Sequence, residues 1–211
     1  DRAELNKVIE DFIRNNPEVV RDTLIALAAR EEAERKQTGL AMVRDDLGDP
    51  VMGNPNGKIT LYEFSDYNCG YCKRVFEPIQ QLLRDNQDVR LVIKEFPILS
   101  QSSLVAAKAA IAAQMQGKFG AYHIALMTYR GQITNDVVIR LATEAGVNKK
   151  QLKLDMESRK TEAIIQRTRE AATALGINGT PGLVIGNKVV TGAIGLNELI
   201  KLIAEERDKQ G

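Results

Sequence analysis

Apolar residues follow two different rhythms in this chain, and the change of rhythm divides it. In residues 1 to about 47 they recur at helical spacing: Leu5, Val8, Ile9, Phe12 and Ile13 make one stripe, and Val20, Leu24, Leu27 and Ala28 a second. Asp1 and Glu4 can close a capping box on the first helix, and Asn16-Pro17-Glu18 supplies an N-cap, a first helical residue and a first-turn acid for the next. From Arg30 to Gln37 almost nothing needs burial, while Glu31 with Arg35 and Glu32 with Lys36 are spaced as i,i+4 ion pairs. A solvated helical rod is expected. Helices of this length are marginal alone in water, so the stripes need cover. The cover is either the main domain or other copies of the chain, as a homodimer or homotrimer around a shared stalk, and two stripes on a polar rod favour the second.

Gly48-Asp49-Pro50 and Asn54-Pro55-Asn56-Gly57 are turn chemistry around Val51-Met52, which places a domain boundary near residue 47 and a connector or short edge strand after it. The pattern then predicts strands at 59–65 and 89–96 with a helix at 70–86 between them. Further strands are expected at 182–186 and 188–193, before a last helix at 196–208. Pro78 should kink the 70–86 helix. Between about 100 and 175 everything reads as helix. Ser102 to Gln116 is Ala-rich, Lys118 to Tyr129 continues after Gly117, Thr134 and Asn148 look like N-caps, and Gly146 and Gly176 fit positions just past helix ends. Residues 48–211 therefore read as an α/β domain whose two halves are separated by an α-helical insertion.

Composition narrows the function classes. At 44% hydrophobic and 27% charged, the chain can bury a good core. Its 29 Lys and Arg against 28 Asp and Glu give no argument for a nucleic-acid partner or an anionic membrane. No apolar run approaches the roughly 18 residues that span a bilayer. Asp1-Arg2-Ala3-Glu4 is not the start of a signal peptide, so for an exported protein the numbering would begin after cleavage.

The chemistry concentrates at Cys69-Gly70-Tyr71-Cys72, where the 59–65 strand has turned into a helix. Cys69 at a helix start meets unpaired N–H groups and the positive end of the helix dipole, which favour a thiolate. Cys72, one turn on, can reach the same sulfur and close a reversible disulfide. A structural bridge across three residues would constrain almost no loop. A zinc site would need further ligands, and the chain has one histidine and no second cysteine pair. Two soft thiolates could also hold Cu(I). Gly179-Thr180-Pro181-Gly182 opens an apolar strand with a proline that lacks an N–H, leaving neighbouring backbone for an extended peptide, and a cis bond there would bring the loop against Cys69. Glu63 inside a strand needs a raised pKa or a cation, and Lys94 in the adjacent strand is the candidate, as a proton relay to Cys72 or as two side chains at a strand margin. His123, among Phe119, Tyr122 and Leu126, reads as a packing residue.

Phe64 to Lys73, the helical insertion and Gly179-Thr180-Pro181 together resemble the DsbA-like branch of the thioredoxin superfamily, most closely ScsC-type envelope proteins with an extra N-terminal helical region. The Gly-Tyr pair between the cysteines and the Thr before the proline are also similar to the isomerase DsbC. The resemblance implies a thioredoxin fold, Cys69 as attacking and partly exposed thiolate, Cys72 as buried resolving thiol, and Thr180-Pro181 as a cis-proline loop contacting substrate backbone. It gives Tyr71 a part in tuning Cys69 and greeting the peptide. It also implies a periplasmic setting, no cofactor beyond the redox-active Cys69–Cys72 disulfide, and misoxidised or unfolded envelope proteins as clients. A membrane redox partner would keep Cys69 reduced. Disulfide isomerase or reductase is favoured over a monomeric oxidase, with copper handling at the same dithiol as a further reading.

Overall fold

The structure is a computed structural model that describes residues 1–210, and the chain divides into two compact units between Thr38 and Gly39. The first unit contains α1 (Arg2–Asn15) and the exposed part of α2 (Pro17–Arg44). Asp1 caps α1, accepting from the Ala3 N–H at 2.7 Å, and Glu4 completes the capping box. Asn16 does not cap α2. Its backbone N–H and its Nδ2 both donate to Phe12 O, at 3.0 and 2.7 Å, so it closes α1 instead. Pro17 then starts α2 without an N–H to satisfy. Along the rod the ion pair formed is Arg30–Glu34 at 2.9 Å, not Glu31–Arg35 or Glu32–Lys36. Such pairs are largely exposed and worth so little that one exchanges for another at almost no cost.

The break comes nine residues before the expected one near 47, and the reason is packing. Leu40 and Val43 on the last turns of α2 are buried with Phe64, Phe96, Ala171, Ala172, Ile177 and Val184, all in the second unit. Gly39 has no side chain, and a Cβ there would meet Leu175 at 2.8 Å, so the helix can approach only because that position is glycine.

The second unit is built on a five-stranded sheet in the order β1-β3-β2-β4-β5, with β1 (Val51–Gly53), β2 (Ile59–Ser65), β3 (Val89–Glu95), β4 (Gly182–Ile185) and β5 (Lys188–Thr191). β2 and β3 are parallel, joined by α3 (Gly70–Asp85), and the other pairings are antiparallel. The register sets Glu63 beside Ile93, Phe64 beside Lys94 and Ser65 beside Glu95. Because side chains alternate along a strand, Leu61, Glu63, Ser65, Leu91, Ile93 and Glu95 share one face, and Phe64 and Lys94 the other.

The first face is covered by α3 and α9 (Leu196–Gln210) together with α4 (Gln101–Met115), α5 (Phe119–Thr128), α6 (Asn135–Glu144) and α7 (Lys149–Met156); the second by α8 (Arg159–Ala174) and the end of α2. α3 runs through Pro78 and buries Val75, Phe76, Ile79, Leu82 and Leu83, each worth about 1.5–3 kcal/mol. The insertion is punctuated as its sequence suggests: Thr134 and Asn148 cap α6 and α7, and Gly146 and Gly176 follow helix ends at φ of 82° and 68°. The fold is therefore a thioredoxin-type α/β sheet interrupted by a helical insertion.

Candidate active site

The turn before α3 is anchored before it carries any chemistry. Buried Asp66 accepts from the Asn68 N–H at 2.9 Å through one oxygen and from the Ile98 and Leu99 N–H groups, both at 3.0 Å, through the other. Asn68 Nδ2 reaches the hydroxyls of Ser100, Ser102 and Ser103 at 2.9–3.1 Å. This holds Cys69 as the N-cap of α3, where its sulfur accepts from the Cys72 N–H at 3.4 Å.

Cys69 is 6% exposed and Cys72 fully buried, so the attacking sulfur offers only a sliver of surface, less than the resemblance implied. The Cys72 thiol donates to Cys69 and pulls it down to about 5; burial opposes this, while the Thr180 hydroxyl and the Cys72 and Tyr71 N–H groups help. Holding that shared proton pushes Cys72 up, with burial and the charge of Glu63 adding to it. The helix N–H groups contribute as the sequence argument expects, but the neighbouring thiol outweighs them. One proton is shared by two sulfurs, with Cys69 carrying the charge.

Thr180 and Pro181 lie across from this pair. Their peptide bond is cis, and when Cys69 is protonated its thiol donates to Thr180 O at 3.2 Å. β4 is not a free edge, as it pairs with β2 on one side and β5 on the other, and Pro181 O already accepts from the Gly192 N–H at 2.8 Å. What remains for a peptide is the loop before it. Tyr71, Arg74, Asn178, Gly179, Thr180 and Pro181 line a groove of about 630 Å³. Tyr71 is exposed, the Arg74 guanidinium lies 4.9 Å from its ring centroid, and no side chain would clash at Gly70.

Glu63 lies below the dithiol and is 1% exposed. Burial raises its pKa to about 7, the Ser65 hydroxyl pulls it back in part, and the Cys69 charge adds to the rise. Lys94 is not its partner. Strand alternation puts Lys94 on the opposite face, where its Nζ meets Asp49 Oδ2 at 2.8 Å, both side chains almost wholly buried. The expected Glu63–Lys94 pair is thus replaced by a lone buried carboxyl and a separate buried ion pair. Sequence reasoning missed Asp49, read as turn chemistry, and Glu95, which sits 0% exposed beside Lys94 in an apolar strand and was visible as a second misplaced charge. His123 packs on Phe119 and Phe76 as expected, with centroids at 5.0 and 5.7 Å, but its Nδ1 is also 2.9 Å from Tyr67 Oη. Among the described residues no group of three His, Cys, Asp or Glu side chains could hold a metal ion, and no helix is long and apolar enough to cross a membrane.

A helix-capping dithiol facing a cis-proline loop on this sheet order defines a thioredoxin-fold exchange site. Residues 45–205 match the thioredoxin family, and the chain belongs to it. A thioredoxin-like oxidoreductase from Silicibacter pomeroyi DSS-3 is 40% identical with a TM-score of 0.76, over 79% of this chain and 96% of that one. Proteus mirabilis ScsC in a transitional conformation is 25% identical with a TM-score of 0.76, over 99% and 97%. The thiol-disulfide exchange protein alpha-DsbA2 from Wolbachia pipientis is 29% identical with a TM-score of 0.75, over 84% and 97%. In relation to curated relatives the chain is short: it is 28% identical over 176 residues to Na(+)/H(+) antiporter NhaA 1 of Mycolicibacterium gilvum (strain PYR-GCK), which is 80% of this chain but 28% of that protein.

Proposed function

We propose that this chain exchanges dithiols for disulfides in envelope proteins and works as an isomerase and reductase through Cys69 and Cys72. The observation that carries the reading is the division of labour between the sulfurs: Cys69, lowered to about 5, is ionised at neutral pH under the Thr180–Pro181 loop, and Cys72 keeps its proton beneath it. Cys69 thiolate attacks one sulfur of a client disulfide. The client S–S bond breaks, a Cys69–client bond forms, and the released client thiolate takes a proton from water. If Cys72 then gives its proton to ionised Glu63 and attacks Cys69, the mixed disulfide breaks, the second client thiolate leaves, and two electrons have passed to the client. If instead the first client thiolate, or another client cysteine, attacks the mixed disulfide, the client is rearranged and Cys69 returns unchanged. That second branch is isomerisation.

A low Cys69 pKa stabilises the dithiol over the disulfide, since only the dithiol can carry the charge; this keeps a thiolate ready for isomerisation and equally makes the disulfide oxidising, so the choice of this branch rests on the features that follow. Clients with disulfides are found in oxidising compartments such as the periplasm, and a membrane partner would return oxidised Cys69–Cys72 to the dithiol. In the first unit Leu5, Val8, Phe12, Leu24 and Ile25 are each more than half exposed, which suits assembly of two or three copies, and the likeness to ScsC extends over that segment. Several exchange sites facing one cavity would raise the local thiol concentration at a trapped client.

Refolding of scrambled ribonuclease, with light scattering on the same sample, tests the reading. Recovery of ribonuclease activity by an oligomer is expected; a monomer that oxidises peptides quickly and unscrambles nothing would replace it with a DsbA-like oxidase. Iodoacetamide alkylation of Cys69 should inflect near pH 5, and an inflection near the free-thiol value of about 8.5 would sink the site chemistry. Cu(I) binding at Cys69 and Cys72 would need the second sulfur ionised against its raised pKa. Cu(I) binding that survives Cys69→Ala would exclude the dithiol as the metal site.

A further inference from the structure

The exchange chemistry leaves a second set of buried polar groups on the same sheet face unused. Glu95, at the end of β3, is fully buried and stands beside Ser65 in register. Its Oε1 is 2.8 Å from Tyr67 Oη, and that hydroxyl is 2.9 Å from Nδ1 of His123 on α5. Glu95 Oε2 and Glu63 Oε1 are both buried without a hydrogen-bond partner. Tyr67 has one hydroxyl proton and cannot donate to both neighbours. Two arrangements satisfy the chain. With Glu95 ionised, Tyr67 donates to Glu95, and His123 donates from Nδ1 to the Tyr67 oxygen. With Glu95 protonated, Glu95 donates to Tyr67 and Tyr67 to a bare Nδ1, so the His123 proton sits on Nε2. Burial holds His123 down at about 3, so near neutral pH the imidazole is uncharged in both arrangements and only its tautomer differs.

The groups facing this chain carry negative charge or none. Glu63 and Ser65 face it from β2, Asp66 from the turn, Tyr122 from α5, and Cys69 and Cys72 lie beyond Glu63; Lys94 is on the other face, bound to Asp49. Two carboxyls on one dry face cannot both ionise cheaply. Burial, followed by the charges of Asp66, Glu63 and Asp49, accordingly raises Glu95 against the pull of the Tyr67 hydroxyl. Closing the Cys69–Cys72 bond removes the thiolate that raises Glu63, so Glu63 ionises more readily and its charge raises Glu95 further.

We propose that Glu95, Tyr67 and His123 form a proton-holding chain behind Glu63, and that its polarity follows whether Cys69 and Cys72 are dithiol or disulfide. The inference rests on the exchange reading above. Glu95 touches neither sulfur and acts through Glu63, so it is a positioning residue: while Cys69 is ionised Glu63 holds its proton and Glu95 is freer to lose its own, and once the disulfide has formed Glu63 ionises more readily and Glu95 holds its proton more tightly. The helical insertion, through His123, thereby registers the state of the dithiol.

His123 is the only histidine, which makes the test direct. Protein labelled with 15N in the imidazole is titrated between about pH 5 and 10, once as the dithiol and once after closure with oxidised glutathione, and the two ring nitrogens report the tautomer. The expected result is an Nε2–H ring at low pH and an Nδ1–H ring at high pH, with the midpoint higher in the disulfide form by about half a pH unit or more. Glu95→Gln should abolish the transition, and the wild-type titration decides even if that variant fails to fold. One tautomer throughout in both forms, or coincident midpoints, would overturn the chain while leaving the exchange reading intact. A Cys69–Cys72 pair that does not close, seen by thiol counting, would sink both.

Discussion

The N-terminal unit and the sheet face under the dithiol break the rule of apolar inside and polar outside in opposite directions. In the first, Phe12, Leu24 and Ile25 are 54%, 59% and 61% exposed; in the second, Glu63 and Glu95 are 1% and 0% exposed. An uncovered Leu or Phe forgoes about 1.5–3 kcal/mol that a covering surface would supply, so the misfit faces outward, where the proposed assembly would relieve it. A buried carboxyl costs several kcal/mol if ionised and unpaired and escapes by holding its proton, so the misfit points inward to proton chemistry. The proposed assembly surface and the proposed proton site are thus marked by the same kind of exception.

The widest break in that contrast would come from Leu5→Glu with Phe12→Glu. Two anchors lost at about 1.5–3 kcal/mol each should reduce the mass measured by light scattering to that of one chain, and a wild type that is itself a monomer at every concentration would remove the outward half. On the other face, Lys94→Met strands Asp49 and should cost about 3–5 kcal/mol in urea unfolding, most of it recovered by adding Asp49→Leu. A cost below about 1 kcal/mol would mean that the pair is not ionised in the folded protein.

Glu63→Gln sharpens the inward half. Its folded pKa of about 7 lies above the ordinary 4.5, so the folded state binds the proton more tightly; wild-type stability should fall as pH rises between those values and stay low above them. At about 1.4 kcal/mol per unit that loss is ~3 kcal/mol, and urea unfolding at acid and mildly alkaline pH should show it missing in the Gln variant. The smallest effect is at the groove. Arg74, stacked on Tyr71, is the one cation among the described residues lining it, so Arg74→Ala should slow exchange with acid-flanked peptides by about 1 kcal/mol, roughly fivefold, and leave neutral ones unchanged.

Local signals survived folding well. The cysteine spacing, the cap residues Thr134 and Asn148 and the post-helix glycines Gly146 and Gly176 act through neighbours within one turn of chain, and each is where its sequence puts it. Two errors came from choosing among equivalent partners. Asn16 could serve the helix before or after it, and the geometry of the Phe12 carbonyl decided. Lys94 could pair with any buried acid nearby. Only the β2–β3 register, which turns Glu63 and Lys94 to opposite faces, gave it to Asp49, 45 residues away in the chain.

By itself, the order of residues determined the strands and helices, the capping position of Cys69 and the presence of too many apolar side chains near the start, because periodicity and capping are settled by residues a few positions apart. Tertiary structure alone decided that the Thr180 loop closes over Cys69, which carboxyls share a dry face and which histidine nitrogen meets Tyr67. Those depend on distances of about 3 Å between segments far apart in sequence, and at that range one step of strand register changes every partner.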